Sequence, residues 1–419
     1  MVNIFIKTYG CAHNQADSEF MAGLLSEAGH NLVDNKSNAD IVIINTCSVK
    51  DPSEKKVFSE LERHKKPVIV AGCVPQADKK NPLLQNYSLL GVKQIHRVVE
   101  LVELTLAGNK VQFLERKSDL SLNLPRIRRN PLIEIIPVSS GCMGSCTFCK
   151  TKQARGGVVS FSEEDIVKQI RIGLNEGIKE VWLTSEDSGA YGLDIGTNLP
   201  NLMKKILLIE RKDFKIRLGM INPEHVLNYI DDLIEIFKDD RLFKFIHVPV
   251  QSGNNKVLKE MNRPYSVEEF KEIISRLRTG VSNITISTDI ICGFPDESDA
   301  EFEDTVNLVK DLKIPVVNIS KFYPRPGTKA AEMHPLDTKI KKARSKKMSE
   351  INNDNISNEE WFGWEGQIII DEYGTNNTFI GRNDFYKMII VEGENLFGKI
   401  LTVRVTSVQR DYLKGEIIN

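Results

Sequence analysis

The chain has no run approaching the roughly 20 uninterrupted apolar residues that a membrane helix needs. Its opening stretch, Val2 to Lys7, is too short and too poor in basic residues for a secretory leader. Both absences lead to the expectation of a cytoplasmic protein with no membrane partner. An excess of either charge is missing too. Lys and Arg total 56 against 57 Asp and Glu, a formal net charge of -1, so the chain as a whole does not advertise a nucleic-acid partner. Cysteine is sparse and odd in number, seven in 419 residues. That excludes a secreted disulfide scaffold and, in a reducing compartment, leaves metal binding or catalysis.

What is present is an alternation of strand-like and helix-like runs. Val2–Lys7, Ala39–Ile44 and Val68–Val70 read as strands, with helices expected over Asp17–Gly29 and Ser53–His64. The strands are β-branched without polar alternation, the pattern of a parallel sheet covered on both faces. Cys11, Cys47 and Cys73 each come just past the carboxyl end of one of them. In an open α/β sheet those ends share one edge, where ligands bind. Position therefore makes these cysteines candidate ligands of one metal centre, against the alternatives of buried structural thiols or a nucleophile.

A polar, basic, proline-marked segment over residues 117–131 reads as a linker after an N-terminal domain of residues 1–116. A second series follows over residues 132–355. Its expected strands are Ile133–Val138, Glu180–Leu183, Lys215–Leu218, Lys244–Val248, Asn283–Asp289 and Pro315–Ser320. Helical stretches separate them, including one opened by Ser266 and Glu269 at capping-box spacing. Six strand–helix repeats imply a barrel or part-barrel whose working face is the carboxyl ends of the strands. After a basic helical run from Asp337, short β-type runs dominate residues 356–419, the texture of a small β-barrel.

Cys142, Cys146 and Cys149 stand at CxxxCxxC spacing just beyond the first strand of the second series. Three soft thiolates on one short loop can hold three irons of a cubane and leave the fourth open to a substrate. A zinc loop is the alternative, yet no fourth ligand lies nearby to complete it. This loop resembles that of the radical-SAM superfamily, in which the open iron chelates S-adenosylmethionine (SAM) and an electron releases a 5′-deoxyadenosyl radical.

The order Gly10-Cys11, Asn14, Asp17-Ser18, Asn45-Thr46-Cys47, Gly72-Cys73, the Cys142 loop and Ala154-Arg155-Gly156 is similar, end to end, to the methylthiotransferase family. The resemblance implies two [4Fe–4S] clusters, one on Cys11, Cys47 and Cys73 and one on Cys142, Cys146 and Cys149. It also implies SAM as cofactor, a flavodoxin-like N-terminal domain, a radical-SAM part-barrel of six β/α units and a C-terminal TRAM barrel that binds RNA. The run Trp182–Gly192, with Ser185-Glu186-Asp187 inside it, resembles the archaeal and eukaryotic branch acting on N6-threonylcarbamoyladenosine in tRNA. An electron donor is a further implied partner. By family match His247 and Arg263 line or flank the cavity, and Gly189, Gly192 and Gly219 are candidates for close approach to SAM. Arg128 and Arg129 at the rim, and Arg382 and Lys387 on the TRAM barrel, are the expected RNA contacts. Asp296 stands where the family often has glycine. Chemically close rivals are methylthiolation of a ribosomal-protein aspartate or of isopentenyladenosine in tRNA; a non-catalytic RNA-binding iron–sulfur protein is a rival of another class.

Overall fold

The computed structural model describes residues 1–48, 57–61, 66–116 and 121–418. The first sheet contains β1 (Asn3–Thr8), β2 (Asn31–Leu32), β3 (Ile41–Thr46), β4 (Val68–Gly72), β5 (Ser88–Gly91) and β6 (Gln112–Phe113). They pair in the order β2-β1-β3-β4-β5-β6, every neighbour parallel. The strand order reverses direction at β1, so the crevice between β1 and β3 is the place where such a sheet admits a ligand. Register makes this concrete: Thr8 pairs with Asn45, and Thr46 pairs with Gly72. Cys47 and Cys73 are the next residues after paired strand ends, and Cys11 follows three residues after Thr8.

The helix after β1 runs Ala12–Glu27 and starts earlier than its apolar pattern predicts. His13, Asn14, Asp17, Ser18 and Glu19 are buried in it. It is sandwiched between the first sheet and the second domain, so polar residues face inward and apolar periodicity is blurred. Most of the helix expected over Ser53–His64 lies outside the described residues; positions 57–61 are helical.

The second series supplies β7 (Ile133–Pro137), β8 (Ser139–Ser140), β9 (Val159–Ser160), β10 (Glu180–Thr184), β11 (Lys215–Arg217), β12 (Phe245–His247), β13 (Thr285–Cys292) and β14 (Val316–Lys321). Strands β7, β10 and β11 form one parallel sheet and β12, β13 and β14 another. The backbone of Ile216 bonds Arg241 and Phe243 across the gap. Six strands thus run parallel in chain order, with their carboxyl ends at one face. The Ser266–Glu269 capping box forms as the spacing predicts.

Residues 121–131 strap the first helix to the second domain. Ile127 donates to the carbonyl of Glu19, and a Cβ on Gly23 would lie 2.3 Å from the backbone of Pro125. Arg126 and Arg128 both bind the buried carboxylate of Glu134.

The C-terminal strands β15 (Glu365–Tyr373), β16 (Thr378–Arg382), β17 (Met388–Glu392), β18 (Ile400–Val408) and β19 (Leu413–Ile417) close into a barrel with its own apolar core. Its 383–387 loop docks against the amino-terminal ends of the second-series strands. Lys244 donates to the Asp384 carbonyl at 2.6 Å, and Thr285 to that of Phe385 at 2.8 Å. The Tyr386 ring lies 4.9 Å from both Phe243 and Phe245. The barrel therefore plugs the end of the domain opposite the cysteine loop.

Candidate active site and the two cysteine sets

The first set is organised by Asn14. Its Oδ1 is 3.3 Å from the Cys11 Sγ and 4.0 Å from the Cys73 Sγ. Its Nδ2 donates to the Thr46 carbonyl at 2.9 Å, just before Cys47. Two glycines let the loops converge. Gly10 has φ +122 and a Cβ there would lie 2.6 Å from the Cβ of Cys47; Gly72 has φ +95 and a Cβ there would lie 2.3 Å from Asn45 Oδ1. Positive φ without a side chain is what these close turns demand. Burial pushes the Cys73 thiol up to about 12, with the charges of Cys47 and Cys11 adding to the effect. Three thiols that feel one another's charge in a buried site are a donor set suited to a metal, which binds thiolate and reverses that penalty.

In the second set, a Cβ on Gly144 would contact the sulfurs of Cys142 and Cys146 at 3.4 and 3.7 Å. Each sulfur accepts a hydrogen bond: Cys142 from the Gly144 N–H at 3.3 Å, Cys149 from the Thr151 N–H at 3.4 Å and Cys146 from Nη1 of Arg263 at 3.2 Å. Donors aimed at sulfur are the arrangement that steadies cluster thiolates. Burial pushes the Cys142 thiol up to about 12.

Between the sets lies a buried ion cluster that sequence reasoning did not assemble. Arg155 reaches Glu186 through Nε at 3.0 Å and Asp17 through Nη2 at 2.7 Å. His13 Nδ1 is 2.9 Å from the same Glu186 oxygen, while the other oxygen accepts from the Gly141 N–H at 2.7 Å. Burial alone would raise Glu186, but His13 and Arg155 hold it down to about 2. The Arg155 charge also bears on Cys11 and Cys73. Its Nη1 is buried without a hydrogen-bond partner among the described residues, a donor left for an anion beside the first set. One residue on, the Gly156 carbonyl accepts from the Cys142 N–H at 3.2 Å. Asn14, Asp17, Ala154–Gly156 and Ser185–Asp187 were visible as motif letters; their pairing was not, because contacts across 138 residues leave no spacing signal.

Arg263 is buried and its donors are committed to Cys146, to Asn222 at 2.9 Å, to Tyr265 at 2.9 Å and to the Pro249 carbonyl at 3.3 Å. It ties the cysteine loop to the segments that follow β11 and β12. His247 Nε2 lies 2.9 Å from Asp289, which also accepts from Asn318 at 2.9 Å. At Gly189, Gly192 and Gly219 a Cβ would meet protein atoms at 2.5–2.6 Å, so these glycines let the chain close on itself. Asp187, Glu224 and His225 place ligand atoms within 4.8 Å of one another and form one polar wall.

The expected RNA contacts sit differently. Arg128 pairs with Glu134 and with Glu176, while Arg129 is exposed. Arg382 pairs with Asp371 and Glu372, 3.3 and 2.9 Å away. Lys387 donates to Asn358 at 3.1 Å and lies over the Trp361 ring. Arg382 and Lys387 are thus held within the C-terminal region by carboxylates and rings that a phosphate would have to displace.

Residues 3–90 match the Uncharacterized protein family UPF0004, residues 136–309 the Radical SAM superfamily and residues 364–418 the TRAM domain. The chain is 40% identical over 428 residues to the threonylcarbamoyladenosine tRNA methylthiotransferase of Homo sapiens, covering 99% of this chain and 74% of the relative. It is 40% identical over 428 residues to a probable threonylcarbamoyladenosine tRNA methylthiotransferase of Pyrococcus horikoshii, covering 100% of both. The chain belongs to the threonylcarbamoyladenosine tRNA methylthiotransferase family. In this methylthiotransferase both cysteine sets fall inside the matched regions, and the Arg155–Asp17 contact joins the second region to the first. The fold is also similar to a radical S-adenosylmethionine methyltransferase, TsrM, from Kitasatospora setae. That similarity has a TM-score of 0.56 at 12% identity, over 79% of this chain and 75% of the other.

Proposed function

We propose that Cys142, Cys146 and Cys149 hold one [4Fe–4S] cluster and Cys11, Cys47 and Cys73 a second, each with one iron free of protein ligand. The chain is a tRNA methylthiotransferase, inserting sulfur and adding a methyl group at C2 of N6-threonylcarbamoyladenosine next to the anticodon. When bound, the clusters and SAM supply the radical chemistry that replaces the unactivated C2 hydrogen and the sulfur and methyl that complete the product.

The chain's own residues do the rest. Gly144, Thr151 and Arg263 donate to the three sulfurs of the second set and keep their orientation through electron transfer. Asn14 and the close turns at Gly10 and Gly72 gather the first set at the crevice of a flavodoxin-like sheet. Arg155, Glu186, His13 and Asp17 fix that crevice against the cysteine loop of the part-barrel, so a base entering between the domains meets both sets. Asp187, Glu224, His225 and His247 with Asp289 form the polar wall available to SAM and nucleoside. An electron donor completes the cycle, and a reducing cytoplasm keeps the six thiols free to act as ligands. No helix among the described residues is long and apolar enough to cross a membrane.

The observation that carries the reading is the convergence of two three-cysteine sets on one interdomain space, in a chain about 40% identical to its relatives along its length. Anaerobic incubation of the reconstituted enzyme with SAM, reductant and sulfide tests it on two tRNAs, one carrying N6-threonylcarbamoyladenosine and one carrying isopentenyladenosine. A methylthio mass gain confined to the first is the expected result; a gain confined to the second overturns the substrate.

A further inference from the structure

Most cations that the sequence offers to RNA are occupied inside the protein. Besides Arg128 and Arg382, Arg344 binds Glu297 at 2.7 Å, and Lys347 pairs with Glu303. One region departs from this pattern. An open cavity of about 550 Å³ lies between the first sheet and the second domain, lined by Gln76–Asn81, Arg116 and Pro326. Its walls follow the carboxyl ends of β4, β6 and β14, so it opens on the same face as the cysteine sets.

Lys79, Lys80 and Arg116 are exposed there. Lys79 donates to the Leu114 carbonyl at 2.7 Å and Arg116 to that of Gln153 at 3.0 Å, contacts that aim these side chains without neutralising them. The cavity's carboxylate, Asp78, is paired with Lys150. Glu115, next along the chain, faces Arg97 at 3.8 Å. Neither Lys80 nor Lys93 has an ion pair among the described residues. Lys93 stands beside Arg116, and its Nζ would lie 3.7 Å from a Cβ on Gly156, the residue whose carbonyl holds the Cys142 N–H. Burial, with the Arg116 charge second, lowers the proton affinity of Lys93. Cations in excess over the acids beside them repel one another, and an anion placed among them relieves that repulsion.

We infer that this cleft, with Lys79, Lys80 and Arg116 on its wall and Lys93 toward the cysteine loop, is a phosphate-binding track for the RNA backbone. The inference rests on the tRNA reading above and gives it a location. Phosphate contacts position a nucleic acid without reading its sequence. Here they would deliver the anticodon arm to the face where the two cysteine sets meet, while the TRAM barrel is anchored at the far end of the second domain.

The test compares wild type with the double variant Lys80→Ala, Arg116→Ala in the full-length, cluster-loaded protein. The Kd for tRNA carrying N6-threonylcarbamoyladenosine is measured by fluorescence anisotropy across salt. Loss of two phosphate contacts predicts a Kd raised roughly 10- to 30-fold near physiological salt and a log–log salt slope smaller by about 2. The pair Lys80→Arg, Arg116→Lys should keep both values near wild type, which a purely structural role for Arg116 at Gln153 would not predict. The same tRNA lacking the modification should lose equal affinity; a loss seen only with modified tRNA would reassign the cations to the threonyl carboxylate and overturn the phosphate track. An unchanged Kd and slope in a double variant that still methylthiolates tRNA overturns the track and leaves the proposed function standing. Failure of the wild type to bind either tRNA overturns both.

Discussion

The Nε of Arg155 lies 3.0 Å from a Glu186 oxygen, and this contact ties the turn after the second cysteine set to the strand end beside it. Because Arg155 also binds Asp17 on the first helix, one guanidinium spans the boundary between the domains.

Removing the Glu186 charge leaves Arg155 with Asp17 and takes the anion from His13. Glu186→Gln should lower unfolding free energy by about 1–3 kcal/mol, measured by urea denaturation under anaerobic conditions. With the single variant Arg155→Met and the double variant Arg155→Met, Glu186→Gln the cycle closes, and it should give a coupling energy of about 1 kcal/mol or more. Additive single effects would show that the two residues do not act as a pair.

Arg263 donates to the sulfur of Cys146. A cationic donor favours the more negative, reduced cluster, so Arg263→Met should shift the reduction potential of that cluster to more negative values. Redox titration followed by electron paramagnetic resonance checks this. A potential unmoved in a folded, iron-loaded variant would remove Arg263 from any tuning role.

Asp296 has φ 58, a left-handed conformation that glycine adopts freely. A left-handed aspartate is strained by roughly 1 kcal/mol, partly offset by the lower unfolded-chain entropy it has relative to glycine. Asp296→Gly should leave the melting temperature unchanged or slightly raised, and Asp296→Val should lower it.

Glu297 gives a pH signature. Burial pushes its carboxyl up from the usual 4.5 to about 7, against the pull of Arg344. Between those values the folded protein keeps a proton that the unfolded chain releases. Wild type should therefore lose stability relative to Glu297→Gln as pH rises from about 4.5 to about 7, then level off, a change of up to roughly 3 kcal/mol. A loss that grows instead as pH falls would show that the ion pair with Arg344 dominates.

The six parallel strands of the second domain were legible within a few residues because strands buried on both faces read as continuous β-branched runs. Capping chemistry at Ser266 was equally local. The strand Leu413–Ile417 leaves no legible signal, since its Lys, Gly and Glu interrupt any apolar pattern. The first helix was read as starting at Asp17 because its opening turns carry His13 and Asn14, polar side chains buried by the site they serve. Each cysteine could be placed at a strand end from sequence; which cations were spoken for could not. Arg382 reads as an exposed barrel arginine until the fold sets Asp371 and Glu372 beside it.

The most direct test of the account is a comparison of wild type, Cys47→Ala and Cys146→Ala, each reconstituted anaerobically and given SAM, reductant, sulfide and tRNA carrying N6-threonylcarbamoyladenosine. Wild type should cleave SAM and form the 2-methylthio nucleoside, Cys47→Ala should cleave SAM without forming it, and Cys146→Ala should do neither. Methylthio product from Cys47→Ala at the wild-type level would contradict a second, sulfur-handling cluster on the first cysteine set.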